Sequence, residues 1–177
     1  MNKKKAVVLI CAFAIMIPLF ILLPKEANEV TNAIVNTENG DIAFCYYDSS
    51  GITSHIRVDA YNAKGELLFS KPLVGSDGSY ASLMFSDGML YASDRSDKKY
   101  CFDMTGKKCD ASDVSSVQID KAGAFSGWKS SFGKRTFEYG DIRYVYELPM
   151  IFKDRCTLTL ERQDGRTVLY EHPSAGT

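Results

Sequence analysis

Histidine is nearly absent from this chain: it occurs twice, as His55 and His172. Neither stands in a spaced set of ligands, and the sequence has no C-x-x-C, so a metal centre has no visible donor set. No G-x-S-x-G elbow is present, and a nucleophile would have few imidazoles to serve as its base. Excess positive charge is missing as well. The 21 Lys and Arg residues are balanced by 22 Asp and Glu. Setting aside Lys3, Lys4 and Lys5 leaves 18 basic against 22 acidic residues, a net charge of −4. A mildly acidic body is a poor match for phosphate backbones, so nucleic acid is not an expected partner. Tryptophan occurs once, at Trp128.

What the chain does have is a hydrophobic start. An uncharged apolar run of 18 residues, Ala6 to Leu23, follows the lysine cluster. That length suffices for a membrane-spanning helix and exceeds a typical signal-peptide core. The lysines before it place the N-terminus in the cytoplasm and the body outside. Cleavage chemistry is weak, because Lys25 would sit three residues before a cut after Ala27. Cys11 follows the bulky Ile10 and is a poor lipidation site. The expectation is a signal-anchor over residues 1–25 and an extracytoplasmic domain over 26–177, held at the cell membrane by a single pass. The alternative is a cleaved signal and a secreted body.

The body is rich in aromatic residues, with 10 Tyr and 10 Phe. Such residues pack well on half-buried sheets. Hairpin signals punctuate it. Asn39-Gly40 lies between "AIVNTE" and "DIAFCYY", and Asp87-Gly88 between "SYASLMFS" and "MLYAS". Both dipeptides suit type I′ turns, whose two central residues need positive φ. Gly140-Asp141, between "RTFEY" and "IRYVYEL", suits a type II′ turn. Its register sets Glu138 opposite Arg143, a favourable cross-strand pair. A second kind of corner follows each hairpin, in "YNAKGELL", "FDMTGKKC" and "ERQDGRTVL". Each is read as a four-residue turn ending in Gly65, Gly106 or Gly165. The fold expected is all-β: three four-stranded antiparallel meanders covering about 32–70, 79–109 and 132–170. The stretch "SSVQIDKAGAFSGWKSS" has no assigned place in it.

The stretch "DGMLYASDRSDKKYCFDMTGKKC" resembles a blade of the quinoprotein-like (PQQ-type) β-propellers. Asp87, Gly88, Tyr91, Ala92, Asp103, Thr105, Gly106 and Lys107 match the blade pattern, and "IRVDAYNAKGELLF" matches its second half, with Asn62 in the Asp position. The resemblance covers about residues 42–110 and, more loosely, 135–170. It implies blade-like sheets. Complete members of that class hold a quinone and a calcium ion in the axial channel of a closed ring. Three units fall short of the four blades that close a ring, and no residue here matches a cofactor ligand, so no cofactor is expected. The blade's closing tryptophan is replaced by Leu68 and Cys109.

Four cysteines lie in the body: Cys45, Cys101, Cys109 and Cys156. Four allow three pairings. If Asp103 faces Lys107 across the "DMTGK" turn, Cys101 faces Cys109 and the two can form a disulfide. If Phe102 faces Lys107, they lie on opposite faces. Four buried thiols are the plainer alternative. Asp94 and Asp97 in "SDRSD" offer too few oxygens for calcium and read as a solvated loop.

The candidate contact surface is "FSGWKSSFGKRTFEYGDIRYVYEL", which mixes aromatic residues with Lys129, Lys134, Arg135 and Arg143. Strand aromatics alternate and read as core. Trp128 and Phe132, in a Gly- and Ser-rich stretch beside Lys129, Lys134 and Arg135, have less structural reason to be there. Together these five residues suit a partner at the cell envelope, either a protein or a polysaccharide. The function expected is a non-catalytic binding or scaffolding module. The alternatives are a hydrolytic enzyme built from Ser and carboxylates, or a partial propeller that works in an assembly of copies through open strand edges.

Overall fold

The computed structural model describes residues 29–48, 55–110, 114, 117–119, 124–148 and 155–173. The expected membrane segment lies outside them. Among the described residues no helix is long and apolar enough to cross a membrane.

Among the described residues the domain is all-β, with twelve strands in three antiparallel sheets. The first sheet is a meander of β1 (Val30–Val35), β2 (Ile42–Asp48), β3 (His55–Tyr61) and β4 (Leu67–Pro72). The second holds β5 (Ser82–Ser86), β6 (Met89–Ser93) and β7 (Lys99–Asp103). The third holds β8 (Lys129–Ser131), β9 (Lys134–Tyr139), β10 (Ile142–Glu147), β11 (Arg155–Arg162) and β12 (Gly165–Pro173).

The strand counts are therefore four, three and five, not four in each. The expected fourth strand of the second sheet shrinks to one bridge, Phe102 to Lys108. The fifth strand of the third sheet is β8, which comes from the stretch that had no assigned place. Phe132-Gly133 turns it back onto β9.

Two corners also differ from expectation. Asn39-Gly40 is not a two-residue turn: Val35 pairs with Ile42, leaving Asn36–Asp41 as the loop. Asn36 Oδ1 accepts from the Glu38 amide, and Asn39 Nδ2 donates to Asp41. Gly165 lies in β12 opposite Arg162, so that corner is the two-residue turn Gln163–Asp164. Asp87 and Gly88 both have positive φ, and Glu138 faces Arg143, as the sequence predicts.

One turn is built three times. At Asn62, Asp94 and Asp103 the backbone N–H donates to the carbonyl four residues on. The side-chain Oδ1 of each accepts from the amides two and four residues ahead. This is the Asx device, which ties the backbone without needing a core. At Asp103 it draws the carboxyl below its ordinary range, through Thr105 first and Lys107 next. Asp94 is buried in its loop and also accepts from the Asp77 amide. It is thus a loop-tying residue, and no group of three metal-ligating side chains occurs among the described residues.

The first sheet is the middle layer of the domain. On β2, Ile42 and Phe44 point into a core shared with the third sheet, against Tyr144, Tyr146, Leu158 and Leu160. Ala43 and Cys45 point the other way, into a core with Leu83, Leu90, Tyr100 and Phe102 of the second sheet. A strand covered on both faces reads as a continuous apolar run, which is why "IAFCYY" does not alternate. The outer face of the second sheet is covered by Val114, Val117 and Ile119. Successive blades of a propeller neighbour each other in chain order, which would put the second unit in the middle. Here the first unit is there.

The first and third sheets share their ends. At one end Val30 donates its N–H to Tyr146 Oη at 3.1 Å. At the other, Tyr144 Oη donates to the Gly40 carbonyl at 2.6 Å and Tyr139 Oη to that of Glu38 at 2.9 Å. A Cβ at Gly40 would come within 2.6 Å of the Tyr139 ring, and its φ is +79°, so glycine is required there on both counts. We call these the proximal and distal ends.

Candidate functional site

The segment from Ala124 to Phe137 carries the sequence's aromatic and basic cluster, and the fold divides it. Phe125 turns inward. Its backbone is left-handed, φ +60°, which costs an L-residue about 1–2 kcal/mol. Its N–H donates to the buried Asn32 Oδ1 at 2.9 Å. Its ring stacks on Tyr146 at 5.3 Å and meets Trp128 edge-on, also at 5.3 Å. The Arg135 guanidinium lies 4.1 Å from the ring centre. Packing and a cation–π contact thus offset the backbone cost.

Trp128 is only 8 % exposed, and its ring belongs to the core between the first and third sheets. Its Nε1 has no hydrogen-bond partner among the described residues. Phe132 is the opposite case. It sits at the tip of the β8–β9 hairpin and is 90 % exposed. Lys129 is exposed and reaches Glu138 at 3.4 Å. Lys134 follows the tip, half-buried. Of the five candidate contact residues, Lys129, Phe132 and Lys134 form one hairpin surface, Arg135 covers Phe125, and Trp128 is packing.

Where this hairpin lies follows from two bonds. The Leu148 N–H donates to the Gly133 carbonyl at 2.9 Å, and Tyr146, which pairs with Arg135, holds the Val30 amide. The hairpin tip and the start of β1 are therefore at the same, proximal end.

A cleft of about 340 Å³ opens at the junction of the three sheets. Its walls are the end of β1 with its loop (Ile34–Glu38), the β5–β6 turn (Phe85–Gly88), Ser126, Gly127 and Phe137. Phe85 and Phe137 supply half-buried rings, and Glu38 and Asp87 supply carboxylates at the rim. The lining contains no Lys, Arg or His. Gly88 has nothing within 4 Å of where a Cβ would be, so the turn leaves room beside it. The cleft adjoins the β1–β2 loop, which places it toward the distal end. Sequence reasoning missed it because its walls come from stretches well separated in the chain; Asp87-Gly88 reads as a turn and the stretch with Ser126, Gly127 and Phe137 as a separate surface.

No protein-family model matches the chain, and no curated protein matches it.

Functional inference therefore rests on the sites themselves. Cys101 and Cys109 are joined by a disulfide, with Cα atoms 5.3 Å apart. The register is the one in which Asp103 faces Lys107: the Asp103 amide donates to the Lys107 carbonyl and the Cys109 amide to the Cys101 carbonyl. Cys45 on β2 and Cys156 on β11 are buried free thiols, one in each of the two cores that flank the first sheet.

One buried polar group deserves weighing as catalytic. Asp59 on β3 accepts from Ser70 and, at 3.3 Å, from Tyr46 Oη, while Arg57 Nε donates to Ser70 Oγ at 2.9 Å. Burial pushes the Asp59 carboxyl above its ordinary range, against the pull of Ser70 and Tyr46. Ser70 thus donates to a carboxyl and accepts from a guanidinium, with no imidazole in the set. His55 lies 4.0 Å from Asp48, and His172, inside β12, stacks with Tyr170. Among the described residues, no serine, acid and histidine are brought together as a relay.

Proposed function

We propose that the chain is a membrane-anchored, extracytoplasmic, non-catalytic binding or scaffolding module of the cell envelope. The observation that carries the reading is the distal cleft, assembled from all three sheets and faced by Phe85, Phe137, Glu38 and Asp87. Phenyl walls with a carboxylate rim suit an apolar segment bearing a Lys or Arg, as a strand or loop of another envelope protein would present. A polysaccharide is the second reading, favoured by the two phenyl rings, on which a sugar face stacks. The anchor reading rests on the apolar run Ala6–Leu23 and the lysines before it. The Cys101–Cys109 disulfide supports an oxidising compartment. Blade-like character is part of the proposal only at the level of the single meander, where the Asx turns at Asn62 and Asp103 repeat.

The test is photo-crosslinking in cells from a reactive side chain placed at Asp87 or, as control, at Asp164 on the β11–β12 turn. A discrete product from position 87 and none from 164 is expected. A glycosidase-sensitive product would select the polysaccharide. No product from 87, or the same products from both positions, would remove the cleft as a binding site.

A further inference from the structure

We infer that the β8–β9 hairpin rests on the bilayer that the N-terminal segment spans, with the Phe132 ring in the headgroup region and Lys129 and Lys134 against anionic headgroups. The inference deepens the anchored reading above and rests on it.

Three observations converge. The first is tether length. Only Pro24–Glu29 separate the apolar run from β1, and six residues extend at most about 20 Å. The domain therefore cannot stand far from the membrane. The second is direction. The chain enters β1 at Val30, whose amide is held by Tyr146 at the proximal end. The hairpin tip, Phe132-Gly133, is at that same end, just past the Glu147–Lys134 pair that follows Tyr146–Arg135, and is tied to Leu148. The end that the tether pulls down is the end that bears the tip. The third is chemistry. Phe132 is 90 % exposed while Phe44, Phe69, Phe102 and Phe125 are buried. The Lys134 ammonium has no carboxylate partner among the described residues, and Lys129 has only the exposed Glu138. An aromatic ring flanked by cations matches the bilayer interface, where rings settle among headgroups and lysines meet anionic lipid. The distal cleft is then held facing away from the membrane.

The experiment uses the full chain reconstituted into vesicles of phosphatidylcholine with a minority of phosphatidylglycerol. Phe132→Trp supplies a reporter; the wild type, with only the buried Trp128, gives the background, and Gln163→Trp reports the distal end. Lipids brominated near the carbonyl end of the acyl chain serve as quencher. Flotation of the vesicles reads the anchor separately. The expected result is co-flotation, a blue-shifted emission from position 132, and loss of at least about half of its added intensity, with position 163 unquenched. Lys129→Glu with Lys134→Glu should restore much of that intensity, and full quenching in this variant would overturn the role given to the lysines. Co-flotation with position 132 unquenched would overturn the bilayer contact while leaving the anchor standing, and would free the hairpin for a protein or polysaccharide. A chain that does not float would overturn the anchor and this contact together.

Discussion

The Asn32 side chain receives the Phe125 N–H on its Oδ1 at 2.9 Å, across 93 residues of sequence. Its Nδ2 donates to the Ala81 carbonyl, also at 2.9 Å. One buried amide thus ties the first sheet to the entry of the second and to the segment leading into the third. It faces inward because Thr31 is an extra residue in β1: Val30 pairs with Tyr46 and Asn32 with Cys45. That bulge re-aims the strand. Asn32→Ala would leave a buried amide and a buried carbonyl unpaired. The expected loss is about 3 kcal/mol of unfolding free energy, read by urea denaturation. A loss under 1 kcal/mol would show that water reaches these groups.

Trp128 and Phe132 should part company under mutation. Trp128→Ala removes a ring from the core between two sheets, and such truncations cost about 3–5 kcal/mol. Phe132→Ala at the exposed tip should stay within about 0.5 kcal/mol of wild type. Thermal melts of the two variants decide it. Equal losses would mean the tip is packed against something.

The disulfide closes a short loop, with Cys101 and Cys109 eight residues apart in sequence. Cys101→Ser with Cys109→Ser should lower stability by about 2.5 kcal/mol on the chain-entropy estimate. Under native, non-reducing conditions these two should resist alkylation because they are bonded. Cys45 and Cys156 should resist because they are buried, which also raises their thiol pKa values. Denaturant alone should expose only Cys45 and Cys156 of these four. Peptide mass mapping distinguishes the pairs.

Asp59 predicts a pH effect of definite sign. Burial raises its carboxyl pKa in the folded state above the value of 3.8 that an ordinary Asp has. The folded state therefore holds this proton more tightly than the unfolded chain. Asp59's contribution is fully present below the unfolded pKa and is lost as pH rises through the folded one. Asp59→Asn keeps an acceptor for Ser70 and Tyr46 without the charge. The variant should gain on wild type as pH rises from 4 to 7, in urea midpoints measured at both. A gap that stays constant or closes would show that Asp59 is ionised in the fold at little cost.

The parts of this fold that were legible in the sequence are the local ones. Asp87-Gly88 and Gly140-Asp141 turn where their φ requirements say, and the alternation of "RTFEYGDIRYVYEL" fixes the β9–β10 register to the residue. The facing of Cys101 and Cys109 hangs on one turn whose register the sequence leaves open between Asp103 and Phe102 opposite Lys107; the structure has Asp103 there. What was hidden is non-local. Nothing in "GWKSS" announces β8, a strand of three exposed residues whose partner supplies the order. The burial of Trp128 depends on Phe125, Tyr146 and Phe137 arriving from three elements. The order of the layers was hidden too, although "IAFCYY" was a clue: an unbroken apolar strand must be covered twice, and so belongs in the middle.

That central sheet also has a consequence for how the protein is made. A ribosome delivers β1–β4 before either of the sheets that cover them. The Phe44 face waits for Tyr144 and Leu158, and the Ala43 and Cys45 face for Tyr100 and Phe102. Every nascent molecule therefore passes through a stage with two bare apolar faces and two unshielded strand edges, the kind of intermediate on which aggregation feeds. The second sheet, delivered next, can close one face at once. The other stays open until β10 and β11 emerge, so holding chaperones should matter most in that interval.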